Sequence, residues 1–96
     1  MSGRSFRFVF NPDENKSKIV TFLPNGTIGK GMNDHENAWR IRRGKLEIIA
    51  ADEKVYSRFK HDSDVGRFVH TNDVDTRSIQ GQFIVPLWEK IETEEP

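Results

Sequence analysis

Three groups of residues in this sequence carry side chains able to do chemistry. The first is His35 beside Glu36, since an imidazole near neutral pKa next to a carboxylate can shuttle protons. Adjacent residues on extended backbone point to opposite faces, so no shared dyad is expected. Glu36 is expected instead to accept backbone N–H groups across a bend or to pair with an arginine. The second group is His35, His61 and His70 with Asp62, Asp64, Asp73 and Asp75, side chains of metal-ligating type. No His-x-x-x-His spacing and no cysteine pair accompanies them. Asp62-Ser-Asp64-Val-Gly66 begins like a calcium loop, but the fifth ligand position is Gly66 and the twelfth is Asp73 rather than Glu. The expectation is a solvated loop whose aspartates cap turns, with no metal and no cofactor. The third group is Arg40, Arg42, Arg43 and Lys45 on one hairpin, with Tyr56 as an aromatic platform, a combination that can hold single-stranded nucleic acid. Glu47 and the balanced total charge dilute that patch, and outward arginines also protect sheet edges. No Ser-His-Asp, nucleophile-elbow or phosphate-loop spacing occurs, so no catalytic residue is assigned and an enzyme is not expected.

The elements that position these groups follow from apolar periodicity. Phe6, Phe8 and Phe10 alternate with polar or smaller neighbours, the period-2 signature of a strand with one buried face. Asn11-Pro12 opens a polar loop. From Lys18 to Leu23 a second strand is expected with Val20 and Phe22 inward, since the bulky ring gains most from burial. Pro24-Asn25-Gly26 is a turn leading to a short strand around Thr27–Lys30 with Ile28 inward. Gly29, Gly31 and the polar run 33–37 form a bend or bulge. Trp39 and Ile41 then point inward, Arg43-Gly44 closes a tight hairpin, and Leu46 and Ile48 continue the buried face. A turn at 51–54 precedes Val55, Ser57 and Phe59 on one side of the next strand. Phe68 is expected inward on a strand at 67–71, and Phe83, Val85 and Leu87 on the last one. Residues 86–93 have a short helix as their alternative reading.

Seven or eight short strands with mostly short connections predict an all-β fold, a small antiparallel up-and-down β-barrel built as a lipocalin- or streptavidin-like meander. Closure would set Phe6–Phe10 beside Phe83–Leu87 and remove both edges. An OB- or SH3-like barrel with a Greek-key step is the alternative. The whole chain, 1–96, reads as a single domain, with 1–4 and 90–96 as flexible ends.

Composition bounds the rest. A chain of 96 residues buries roughly 60–65% of its unfolded surface, so seven Phe, two Trp and one Tyr must supply much of the core. Lys plus Arg equals Asp plus Glu at 15 each, which argues against nucleic-acid or anionic-membrane binding by bulk charge. The absence of cysteine, of a signal-peptide core and of a 20-residue apolar run gives the expectation of a bacterial-type, cytoplasmic protein with no membrane span.

Residues 25–59 resemble small bacterial β-barrel accessory modules of poorly defined function, which occur alone or beside transferase-type domains. The resemblance is carried by Gly26-Thr-Ile28, Gly31, Glu36, Trp39-Arg-Ile41, Gly44-Lys-Leu46-Glu-Ile48 and Val55 to Phe59, about a third of the chain. Where those modules carry Asn before the Glu, His35 stands here. The resemblance implies a non-catalytic accessory or binding role.

The functional expectation is therefore a binding module. A barrel of about eight strands either fills with side chains or holds one small ligand, and the wealth of rings favours filling. A ligand site, for a small molecule or carbohydrate, is expected at the barrel mouth bordered by Glu36, Trp39, Tyr56 and Phe59. A protein-interaction, homodimerising domain is the alternative. A small enzyme centred on His35 and Glu36, or an OB-like nucleic-acid binder, ranks below both.

Overall fold

The computed structural model describes residues 4–86 and places them in one seven-stranded antiparallel sheet. The strands are β1 (Ser5–Asn11), β2 (Lys16–Thr21), β3 (Ala38–Arg42), β4 (Lys45–Ile49), β5 (Val55–Asp62), β6 (Arg67–His70) and β7 (Phe83–Pro86). Their order is β2-β1-β7-β6-β5-β4-β3. This is an up-and-down meander without a Greek-key step, and the OB- or SH3-like alternative falls. First and last strands pair, Phe8 opposite Ile84 and Arg7 opposite Val85.

The remaining gap, between β2 and β3, is crossed by a short segment rather than a full strand. Residues Phe22 and Ile28 form one bridge, Thr27 and Ala38 another. The Gly29 N–H donates to the Thr21 carbonyl at 2.9 Å, and the Trp39 N–H to the Gly26 carbonyl at 2.9 Å. Gly31 then turns the chain away at φ +83, where a Cβ would lie 2.5 Å from the Ile19 carbonyl oxygen; only glycine fits. The sheet thus curls into a small barrel whose seam is held by this segment.

Inward residues fill the interior. Phe6, Phe8, Val20, Phe22, Ile28, Leu46, Ile48, Phe59 and Ile84 form the buried cluster, with Phe10, Trp39 and Phe68 packed against it. The rings meet edge to face: Phe6 on Phe22 and Phe22 on Trp39 at 5.4 Å, Phe8 on Phe59 at 5.9 Å. Such contacts add about 0.5–1.5 kcal/mol each beyond area burial.

Two inward assignments are corrected. Ile41 is 54% exposed although its partner Leu46 is fully buried, because the covering segment stops at Gly26 and leaves the end of β3 bare. On β7 it is Ile84 that is buried, not Phe83 and Val85, because its register against Phe8 and Phe68 turns it inward. Phe83 instead lies under the Arg67 guanidinium, 4.2 Å from the ring centre. Leu87 and the flexible end at 90–96 lie outside the described residues, as do 1–3 and all of the alternative helix at 86–93 except Pro86, which ends β7. Among the described residues no helix is long and apolar enough to cross a membrane.

Candidate functional site

The β3–β4 hairpin turns through Arg43 (φ 53) and Gly44 (φ 77), both left-handed, as a two-residue hairpin requires. With Trp39, Leu46 and Ile48 inward, alternation sends Arg40, Arg42, Lys45 and Glu47 to the outer face. The β4–β5 register sets Arg58 opposite Glu47 and Phe59 opposite Leu46, and alternation along β5 puts Lys60 on the same outer face as Arg58. Two rungs of charge therefore cross the outer face.

The rung through Glu47 alternates in sign. The Arg40 Nε donates to Glu47 Oε1 at 2.6 Å, and the Arg58 Nε to Oε2 at 2.8 Å. Arg58 continues outward: Nη1 reaches Asp73 Oδ2 and Asp75 Oδ1 at 2.8 Å each, and Nη2 reaches Asp75 Oδ2 at 3.0 Å. The two aspartates come from a tight turn whose Thr76 N–H and hydroxyl both donate to the Asp73 carbonyl. Glu47 is only 3% exposed on an outward-facing position. Burial pushes its pKa up, but the hydrogen bonds and charges of Arg58 and Arg40 outweigh this and hold it below the ordinary value. Arg58 likewise lowers Asp73 and Asp75, and the three carboxylates raise Arg58 in return. Glu47, Arg58, Asp73 and Asp75 are therefore all ionised at neutral pH.

The next rung has one sign only. Arg42 lies directly opposite Lys45, Lys60 shares their outer face, and Arg43 caps the turn. None of the four forms an ion pair among the described residues. Like charges directly opposite in a sheet are destabilising. A concavity of about 430 Å³ is lined by members of both rungs: Arg42, Arg43 and Lys45 from the basic one, and Glu47, Arg58, Asp73 and Asp75 from the paired one. That volume is within the range of small-molecule sites, roughly 300–1,000 Å³.

The residues expected at a barrel mouth are engaged elsewhere. Glu36 is buried and binds the Lys18 ammonium at 2.5 Å, while Asn33 Oδ1 accepts the Glu36 N–H at 2.7 Å. It thus pairs with a lysine, where an arginine was one expected partner. Trp39 packs its ring on Phe22 and donates its Nε1–H to the Leu23 carbonyl at 2.9 Å. Tyr56 is half-buried and stacked on His35, 4.5 Å between centres and 5° from parallel. Burial and the Glu36 charge raise its pKa. Phe59 is fully enclosed between Phe8 and His70, so it meets no solvent and cannot border an opening. Glu36 and His35 diverge, one to Lys18 and the other to Tyr56.

The histidines are likewise dispersed. His61 packs on Phe68 at 5.1 Å and His70 sits in the interior. Among the described residues no three His, Cys, Asp or Glu side chains are placed to hold a metal ion. Sequence reasoning found the basic hairpin but missed Glu47, Arg58, Asp73 and Asp75 as one unit. The signal for the first two was the hairpin register itself; nothing local announced that a loop 15 residues beyond Arg58 returns to it.

No family model, no curated protein and no solved structure matches this chain.

Proposed function

We propose that this protein is a non-catalytic binding module that takes a small anionic ligand on the outer face of β3, β4 and β5. One observation carries the reading: Arg42, Arg43 and Lys45 stand together at a concavity with no carboxylate partner among the described residues. An anion there removes the repulsion between Arg42 and Lys45 and gains charge-assisted hydrogen bonds. The neighbouring rung supports this reading in a second way. Arg58 and Glu47 are each held by two or more partners, so the floor of the site is fixed before a ligand arrives. The mouth residues Glu36 and Trp39 support a ligand site less well, since their polar atoms are already paired within the fold.

The test is thermal unfolding of the full chain at low ionic strength with increasing inorganic phosphate. Binding confined to the native state raises stability, by about 2.7 kcal/mol at a hundredfold excess over Kd. The expected result is a rise in Tm that saturates with phosphate and disappears in the Arg42→Ala/Lys45→Ala double variant. A rise of equal size in that variant, or no rise in the parent together with no phosphate-dependent amide shift changes well below its Tm, would overturn the reading.

A further inference from the structure

The anionic-ligand reading concerns the basic residues of the concavity, and the acidic ones narrow the ligand further. Asp73 and Asp75 line the same concavity as the basic residues, and Arg58 holds both below the ordinary aspartate range, so they are ionised at neutral pH. An ionised carboxylate only accepts hydrogen bonds, and each has two oxygens with about four acceptor directions between them. Arg58 uses Asp73 Oδ2 alone and touches each oxygen of Asp75 once. Acceptor capacity is therefore left on both, at side chains 42% and 61% exposed. A purely anionic guest would meet these carboxylates with repulsion. A guest that also carries hydroxyl groups would meet them with donors.

Size points the same way. The concavity, about 430 Å³ and open to solvent, is larger than a bare tetrahedral oxyanion. Such an ion, held by the basic residues, would fill only part of it.

Resting on the reading above, we infer that the ligand is a phosphorylated polyol of sugar-phosphate type, its phosphate on Arg42, Arg43 and Lys45 and its hydroxyls on Asp73 and Asp75. Neutral hydroxyls suit the acidic residues better than an ammonium does, because the Arg58 guanidinium already neutralises part of the aspartate charge that would offset the desolvation of a second cation. The acidic residues thus act as the selective half of the site: they favour hydroxylated anions over bare ones.

Isothermal titration of the full chain with inorganic phosphate, glucose, glucose 6-phosphate and O-phosphoethanolamine tests this. Glucose 6-phosphate is expected to bind at least tenfold tighter than inorganic phosphate and tighter than phosphoethanolamine, with glucose alone undetected. In Asp75→Asn the sugar-phosphate affinity should fall toward that of inorganic phosphate, while inorganic phosphate itself binds no more weakly than before. Equal binding of glucose 6-phosphate and inorganic phosphate overturns the inference and leaves the anion site standing; no binding of any phosphate by the parent overturns both. Tighter binding of phosphoethanolamine overturns it as well, since the acidic residues then read a cation. Should Asp75→Asn fail to fold, amide shifts of the parent decide: glucose 6-phosphate must move Asp73–Thr76 signals that inorganic phosphate leaves in place, and failure to do so overturns the inference.

Discussion

His70 lies inside the barrel with both ring nitrogens engaged. The Asn72 N–H donates to Nδ1 at 2.8 Å, so the proton of the neutral ring is on Nε2, which donates to the Ser78 hydroxyl at 2.7 Å. Burial, with some help from the Arg58 charge, pushes its pKa below the ordinary 6.5, although Asn72 Oδ1 and Asp73 pull the other way. The unfolded chain then holds the proton more tightly than the folded one, and stability rises with pH across the interval between the two values. It follows that lowering the pH from 7.5 should begin to weaken the fold near 6.5, well before any carboxylate titrates. Urea unfolding at half-unit pH steps checks this: the parent midpoint should fall between pH 7 and 5, and His70→Asn, which keeps an acceptor near the Nδ1 position, should be flat there. Below about pH 4.5 both should lose stability together, because the unfolded chain then takes up a proton that Glu47, held low by its arginines, does not accept in the fold. Little of this was legible from residue types alone. The three histidines read as candidate ligands, and what separated them was packing against Phe68, Tyr56 and Phe59, which only the fold brings to each.

At the scale of the element, the β3–β4 hairpin carries both structure and proposed chemistry. Arg43 occupies a left-handed conformation at φ 53 that asparagine or glycine adopts more readily. Backbone strain of this kind concentrates at functional positions. Replacing Arg43 by Asn is accordingly expected to raise stability by about 0.5–1 kcal/mol in urea unfolding. The same variant should bind inorganic phosphate several-fold more weakly. A variant both less stable and equally competent would contradict the role given to this turn. Hairpins were the most legible features here, because Arg43-Gly44 and Pro24-Asn25-Gly26 announce positive φ locally. The parity of β7 was not, since Phe83, Ile84 and Val85 are all apolar and only the pairing of Phe8 with Ile84 decides which side faces in.

For the whole molecule, closure between first and last strands is the organising fact, and the strand-like apolar runs near both chain ends, Phe6–Phe10 and Phe83–Leu87, made it readable. Its cost structure is testable on adjacent residues of β7. Truncating Ile84 to Ala opens a cavity among Phe8 and Phe68 and should destabilise by about 2–5 kcal/mol, a large share of a small domain's total. Val85→Ala, on the outer side, should cost less than about 1 kcal/mol in the same denaturant titration. The reverse order would mean that the strand is rotated by one residue. The charge network escaped sequence reasoning for a related cause: Arg58 meets partners at 47, 73 and 75, and no periodicity encodes which loop folds back over which strand.

The pairing of Phe8 with Ile84 also sets a timetable for synthesis. One edge of β1 can be satisfied early by β2, yet its other neighbour leaves the ribosome only 76 residues later. At roughly 5–20 residues per second, that is an interval of about 4–15 s. Throughout it a ring-bearing strand waits with half its backbone unpaired, so the nascent chain is most vulnerable to intermolecular association before its final strand is translated.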